Sequence, residues 1–374
     1  MKRILSATTA TLMLMWSLVA GASAADESIE LSLEASPVGG KLYREVARPV
    51  EAGLAVKVDV PEGEPQITPM IVSNVTFPSD MSFHPNPKVT PACPEEKVGT
   101  QSALADGIEA IVAECPRSVI GTGTAIVQAG QLAAPFASLP AQMVIFNAGR
   151  NAAGRPKITI YGYSRLANAG VIMMGVLATN GELRIDVGQL PYDSSVAEFS
   201  LGIPGTPLVP DGSSAGESIR GLDPAYLRAT CTTGTWLATG AFTLGDRDPS
   251  TGGLIGEPRL LHSNPVELPC RGAAGKARLG FVGLPKVKRL RKGRTSVLSF
   301  KVKNSGTATA RSIRINVKGA AKGTVGLKRL APGATTGVKV RIKARAAGFR
   351  GKLKLSLKGG GVPTKRVAIK AKFR

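Results

Sequence analysis

The chain has 374 residues and a formal charge of +22, but the charge is split: residues 1–275 carry 19 basic and 26 acidic side chains, whereas residues 276–374 carry 29 basic ones and no acid. Such asymmetry speaks of a negatively charged partner and of solubility, not of fold. No apolar run after the N-terminus reaches membrane-spanning length, and four cysteines without CxxC or Cys/His clusters exclude a cysteine–histidine metal site.

Lys2 and Arg3, an apolar stretch over 12–19 and the A-x-A site Ala22-Ser23-Ala24 form a secretory signal. Residues 1–24 are therefore expected to be removed, leaving a mature chain from Ala25 that is secreted, extracellular and open to cell-surface association, with no transmembrane segment. Cys93, Cys115, Cys231 and Cys270 fit an oxidising destination. Three pairings are open. The local one, Cys93 with Cys115 and Cys231 with Cys270, closes two loops that each contribute about 3 kcal/mol by restricting the unfolded chain.

Ile29, Leu31 and Leu33, then Leu54, Val56, Val58 and Val60, alternate with polar residues as half-buried strands do. The stretch 101–114 is the best helix, with Leu104, Ile108, Ile111 and Val112 near helical spacing and Pro116 ending it. Strands are expected at 121–128, 143–146, 157–163, 171–177 and 182–187, separated by Gly or Asn turns. A short helix is expected at 218–228.

Residues 272–276 read as a Gly/Ala linker, beyond which alternation becomes regular. Leu298, Phe300 and Val302 alternate with Ser299, Lys301 and Lys303; Ile313, Ile315 and Val317 with Arg314, Asn316 and Lys318. Val338, Val340 and Ile342 alternate with Lys339, Arg341 and Lys343; Leu353, Leu355 and Leu357 with Lys352, Lys354 and Lys358. Val367, Ile369 and Phe373 alternate with Arg366, Lys370 and Lys372. Turns are expected at Asn304-Ser305-Gly306, Ala331-Pro332-Gly333 and Gly359-Gly360-Gly361. The fold class is all-β: a large disulfide-stapled β-sandwich over 25–272, then a seven-stranded immunoglobulin-like β-sandwich over 276–374.

Val302-Lys303-Asn304-Ser305-Gly306, with Ala308 and Ala310, resembles the V-x-N-x-G-x-x-x-A hairpin of the CARDB family, the cell-adhesion-related domains of bacteria. Leu330-Ala331-Pro332-Gly333-Ala334-Thr335 is similar to that family's LAPG turn. The resemblance covers only the last hundred residues. It implies an immunoglobulin-like, non-catalytic module of secreted or surface proteins. The front half, through Phe77-Pro78, Pro91-Ala92-Cys93, Cys115-Pro116 and the run Val119 to Ala125, resembles secreted actinobacterial β-proteins of unassigned role, and that resemblance implies no activity.

Two motifs carry possible chemistry. Gly212-Ser213-Ser214-Ala215-Gly216 matches a G-x-S-x-G nucleophile elbow, with Asp223, Asp246 or Asp248 and then His262 in hydrolase order. A Pro-rich loop precedes it instead of a buried parallel strand, so a Gly/Ser loop is the preferred reading. Asp246, Asp248, Ser250, Gly252 and Glu257 have the spacing of a calcium loop. Thr251 stands where glycine makes the sharp turn, and an Asp-rich turn between two strands explains the same residues. His84 and His262 are far apart and read as loop residues, and no motif calls for a cofactor.

The functional expectation rests on the basic module: a non-catalytic binding or adhesion protein associating with anionic cell-envelope or extracellular polymers. The residues expected to bind are Lys301, Lys303, Arg314, Lys318, Lys339, Arg341, Lys343, Lys352, Lys354, Lys358, Lys370 and Lys372. Nucleic acid is disfavoured by export, and Phe281, Phe300, Phe349 and Phe373 are the module's only aromatics, most of them core-facing. Lysines that merely solubilise the module, or a basic module docked on the acidic front half, would produce the same composition. The competing class is a secreted ester or polysaccharide hydrolase using the basic module as a targeting domain.

Overall fold

Ile29, Leu31 and Leu33 lie directly opposite Val58, Val56 and Leu54, so the first two apolar alternations of the chain are one antiparallel pair, β1 (Ser28–Pro37) against β2 (Arg48–Asp59). Each strand turns its apolar side inward and its polar side to water. The computed structural model describes residues 27–60, 67–99, 107–129, 137–178, 181–188, 194–211, 218–248, 250–344 and 351–373. The signal sequence, the G-x-S-x-G stretch, the first part of the expected helix and Phe349 lie outside them.

The front half is one continuous antiparallel sheet. Its centre is the meander β5 (Val119–Ala129), β6 (Ala137–Arg150), β7 (Pro156–Ser164), β8 (Ala169–Leu177) and β9 (Glu182–Asp186). Beyond β9 follow β3 (Met70–Thr76), β12 (Thr235–Arg247) and β13 (Leu254–His262), with β14 (Val266–Pro269) also on β12. Beyond β5 follow β10 (Ser195–Ile203), β2 and the short β11 (Leu227–Ala229) and β4 (Met81–Phe83). The sheet doubles over so that its two halves share one core, from Leu31 and Val56 through Ile145 and Ile160 to Trp236 and Phe242. Its far ends are joined by an ion pair between Arg259 and Glu27, and the Glu27 carboxylate also accepts from the Thr68 amide.

The run 143–146 is apolar throughout because β6 is buried on both faces. Met143 and Ile145 enter the main core, whereas Val144 and Phe146 enter a second cluster with Ile111 and Tyr161. That cluster is capped by α1 (Glu95–Val98), α2 (Gly107–Glu114) and the Cys93–Cys115 disulfide. The other disulfide is Cys231–Cys270, so the pairing is local in both cases.

The helix expected at 218–228 does not form. Leu208 and Ile219 exchange backbone hydrogen bonds of 2.8 and 2.7 Å, and Leu227 enters strand β11. Pro224 stands in the middle of the stretch, where a helix would need an N–H donor. The linker is also not free. Ala273 donates to the Leu42 carbonyl at 2.9 Å, and a Cβ on Gly272 would sit 2.0 Å from the Cys231 carbonyl oxygen.

The basic module is a two-layer sandwich with its own core. One layer holds β15 (Leu279–Val282), β17 (Thr295–Asn304) and β20 (Thr335–Ala344); the other holds β18 (Ala310–Gly319), β21 (Gly351–Gly359), β22 (Val362–Phe373) and β16 (Val287–Leu290). The two are joined by β19 (Ala321–Leu330), its Ala321 and Lys322 paired with β20 and the rest with β18. The expected seven strands are eight because the first is cut in two by Gly283-Leu284-Pro285. With Gly283 at φ 68°, the chain crosses between layers: β15 pairs with β17, and β16 runs parallel to β22. This is the immunoglobulin-like arrangement in which the first strand serves both sheets.

Candidate functional site

Alternation puts each lysine or arginine of the basic strands outward because its neighbours fill the core. The burial pattern of β17 and β20 is strictly alternating, and β21 shows the same rhythm. The twelve expected cations divide between two opposite outer faces. Lys301, Lys303, Lys339, Arg341 and Lys343 lie on the layer of β17 and β20. Arg314, Lys318, Lys352, Lys354, Lys358, Lys370 and Lys372 lie on the layer of β18, β21 and β22.

The two faces differ in register. On the first, the cations of the β17–β20 pair oppose neutral residues: Lys343 faces Thr295, Arg341 faces Val297, Lys339 faces Ser299 and Lys301 faces Gly337. On its other side Lys343 faces Lys322 of β19, a single opposed cation pair. On the second, cations oppose cations: Arg314 faces Lys358, Lys318 faces Lys354 and Lys352 faces Lys370. Directly opposed like charges each cost roughly 0.2–1 kcal/mol. Arg311 and Arg329 form a further opposed pair that alternation did not reveal. The left-handed backbone at Ser312, φ 50°, interrupts the two-residue rhythm there.

Among the described residues, every ion pair joins partners within 27–259, and none reaches a cation of the module. One acidic residue of the front half touches it: the Glu45 carboxylate accepts the Thr309 amide at 2.7 Å. Hydrogen bonding by Thr309 holds that carboxyl below its ordinary range, with Arg311 assisting by charge. Beside β16 an open groove of about 670 Å³ is lined by Val287, Lys288, Arg289, Val297 and Lys372, with Arg289 and Lys372 in parallel register.

The residues of the resembled hairpin have a structural task. Asn304 is fully buried, and its Oδ1 accepts the amides of Arg278 and Gly306 at 3.0 Å each. Its Nδ2 donates to the carbonyls of Ala308 at 2.8 Å and Leu330 at 3.0 Å. All four capacities of the amide are thus used to tie three segments together. A Cβ on Gly306 would lie 2.2 Å from the Lys276 carbonyl oxygen, so the segment leading into β15 requires glycine there.

The Asp-rich segment is the turn between β12 and β13. Asp248 Oδ1 accepts from the amides of Ser250 and Thr251 and from the Ser250 hydroxyl, which lowers its pKa to about 2. Its carboxylate therefore caps its own turn, and among the described residues no three His, Cys, Asp or Glu side chains gather as a metal site. His262 lies at the end of β13, distant in the sheet from His84. His84 Nε2 shares a 2.9 Å hydrogen bond with Ser82 Oγ, and desolvation with repulsion from Arg228 and Arg150 depresses its pKa. Asp223 is buried and bonds the Ala225 amide; neither it nor another described carboxylate is hydrogen-bonded to His84.

No family model and no curated protein matches the chain. Among solved structures, the T6 backbone pilin of serotype M6 Streptococcus pyogenes overlaps 92% of this chain and 52% of its own, at 7% identity and a TM-score of 0.24. The chain thus spans about half the length of that pilin. A protein of unknown function from Porphyromonas gingivalis W83 overlaps 62% of this chain and 99% of its own, at 13% identity and a TM-score of 0.20. Both overlaps fall below the level at which a shared fold is argued. The two disulfides are compatible with an extracellular protein, and among the described residues no helix is long and apolar enough to cross a membrane.

Proposed function

We propose that the protein is a secreted, non-catalytic binding or adhesion module that associates with anionic cell-envelope or extracellular polymers through the layer of β18, β21 and β22. The observation that carries this reading is the three directly opposed cation pairs on that layer, without a described carboxylate in reach. Solubility needs charge, but it does not need like charges placed face to face across strands. A polymer of repeating negative charge lying over the rows relieves that repulsion and gains attraction at each row. The likeness of the Asn304 hairpin and the Leu330–Thr335 turn to CARDB modules belongs to the same reading.

Attraction of this kind is screened over about 8 Å at physiological salt and about 3 Å at 1 M. The full chain is expected to stay on polygalacturonate or polyphosphate beads at low salt, to pass uncharged dextran, and to elute as salt rises. Retention on the charged beads at about 1 M salt, or equal retention on dextran, would contradict a charge-driven mode.

A further inference from the structure

The inner face of the meander is incompletely filled. Between β5, β6, β7 and β8 on one side and β3 and β10 on the other lies a cavity of about 90 Å³, within empty space of about 940 Å³ that includes its mouth. A water molecule needs about 10–15 Å³ on the same measure, so there is room for a chain of several carbon atoms. The space exists because the sequence places Ala125, Ala141 and Gly162 where neighbouring strands carry large side chains. Met70, Met143 and Met173 complete much of the wall, and unbranched thioethers adapt to irregular apolar guests.

Three serines interrupt this wall, Ser73, Ser164 and Ser194, and two of them are without a hydrogen-bond partner. Ser73 is 1% exposed and Ser164 7%, both line the cavity, and neither hydroxyl has a hydrogen-bond partner. Ser73 lies opposite Ile185 and Phe242, whose side chains are in the core, so the register fixes its hydroxyl on the inner face. A buried hydroxyl without a partner is unfavourable, and apolar cores avoid it unless something supplies the bond. No charged side chain lines the cavity among the described residues, so a bound carboxylate or ammonium would lack a counter-charge.

We propose that this cavity binds the aliphatic chain of a neutral single-chain amphiphile, whose alcohol or ester oxygen is hydrogen-bonded by Ser73 or Ser164. The site is separate from the cationic layer and does not depend on it.

The test is calorimetric titration of the full chain with decan-1-ol, methyl decanoate and decane. The alcohol and the ester bind, and decane binds about five- to tenfold more weakly, the loss expected for one hydrogen bond. Gly162→Ala is the mild obstruction, because a Cβ there meets Val171 Cγ1 at 3.5 Å, Met143 Cγ at 3.6 Å and Met173 Cε at 3.8 Å, all ordinary contacts. It weakens binding, and Ala141→Leu abolishes it. Ser73→Ala and Ser164→Ala separate the proposal from a structural role: the two together raise the ligand-free melting temperature while weakening decan-1-ol toward the affinity of decane. Three results would each overturn the proposal. They are no binding of decan-1-ol by the folded wild type, undiminished binding in both obstruction variants, and equal affinity for decane and decan-1-ol.

Discussion

Lys318 on β18 and Lys354 on β21 face each other directly across neighbouring strands, and no described carboxylate pairs with either. Folding alone would favour an acid at one of the two positions. Lys354→Glu is therefore expected to stabilise the module by about 0.5–1 kcal/mol while weakening retention on anionic beads. Thermal unfolding and bead elution measure the two effects on one sample. A stabilised variant retained as strongly as wild type would remove this layer from the binding surface.

Asn304 is expected to be the most sensitive polar position of the module. Asn304→Ala leaves two amides and two carbonyls unpaired in a closed interior and should cost about 2–4 kcal/mol. Asn304→Asp should also be costly, because its second oxygen would face the carbonyls of Ala308 and Leu330. Urea unfolding of the variants checks this; a loss below that range would show that water replaces the amide.

Glu27 and Arg259 join the two ends of the doubled sheet across 232 residues of sequence. Glu27 is nearly enclosed whereas Arg259 is half exposed, so removing the cation leaves the carboxylate with the Thr68 amide. Arg259→Met is expected to cost about 1–3 kcal/mol, less than a fully buried pair would. A double-mutant cycle with Glu27→Gln should return a coupling of the same sign, and zero coupling would show that the ends are held by apolar packing alone.

The Asp248 turn should be sensitive to acid. Its carboxyl, depressed from 3.8 to about 2, contributes stability above the unfolded value that is lost as pH falls through the folded one, here between about 4 and 2. Carbon-detected NMR titration reads that pKa directly. Asp248→Asn should remove the local pH dependence, and an unperturbed midpoint near 3.8 would show that the turn does not hold its hydrogen bonds in solution.

Much of the molecule was legible in the residues. The alternations at 29–33, 54–58 and 298–373 became strands with the expected faces inward, because a period of two has one way to bury its apolar side. The meander strands were readable from the turn residues between them. The stretch 218–228 is not helical because Pro224 lacks the N–H a helix needs and Ile219 instead exchanges backbone hydrogen bonds with Leu208 across a loop. The pair Arg311 and Arg329 was hidden by the irregular backbone at Ser312.

The sequence by itself determined the class of the fold, the inward and outward side of each regular strand, and the separation of charge between the two halves, since all three follow from local order along the chain. Only the tertiary structure decided which cations confront one another, which cysteines pair, and where Ser73 and Ser164 meet across an unfilled interior. Those depend on register and on the folding-over of a sheet whose neighbouring strands come from distant parts of the chain, and local spacing carries no record of that.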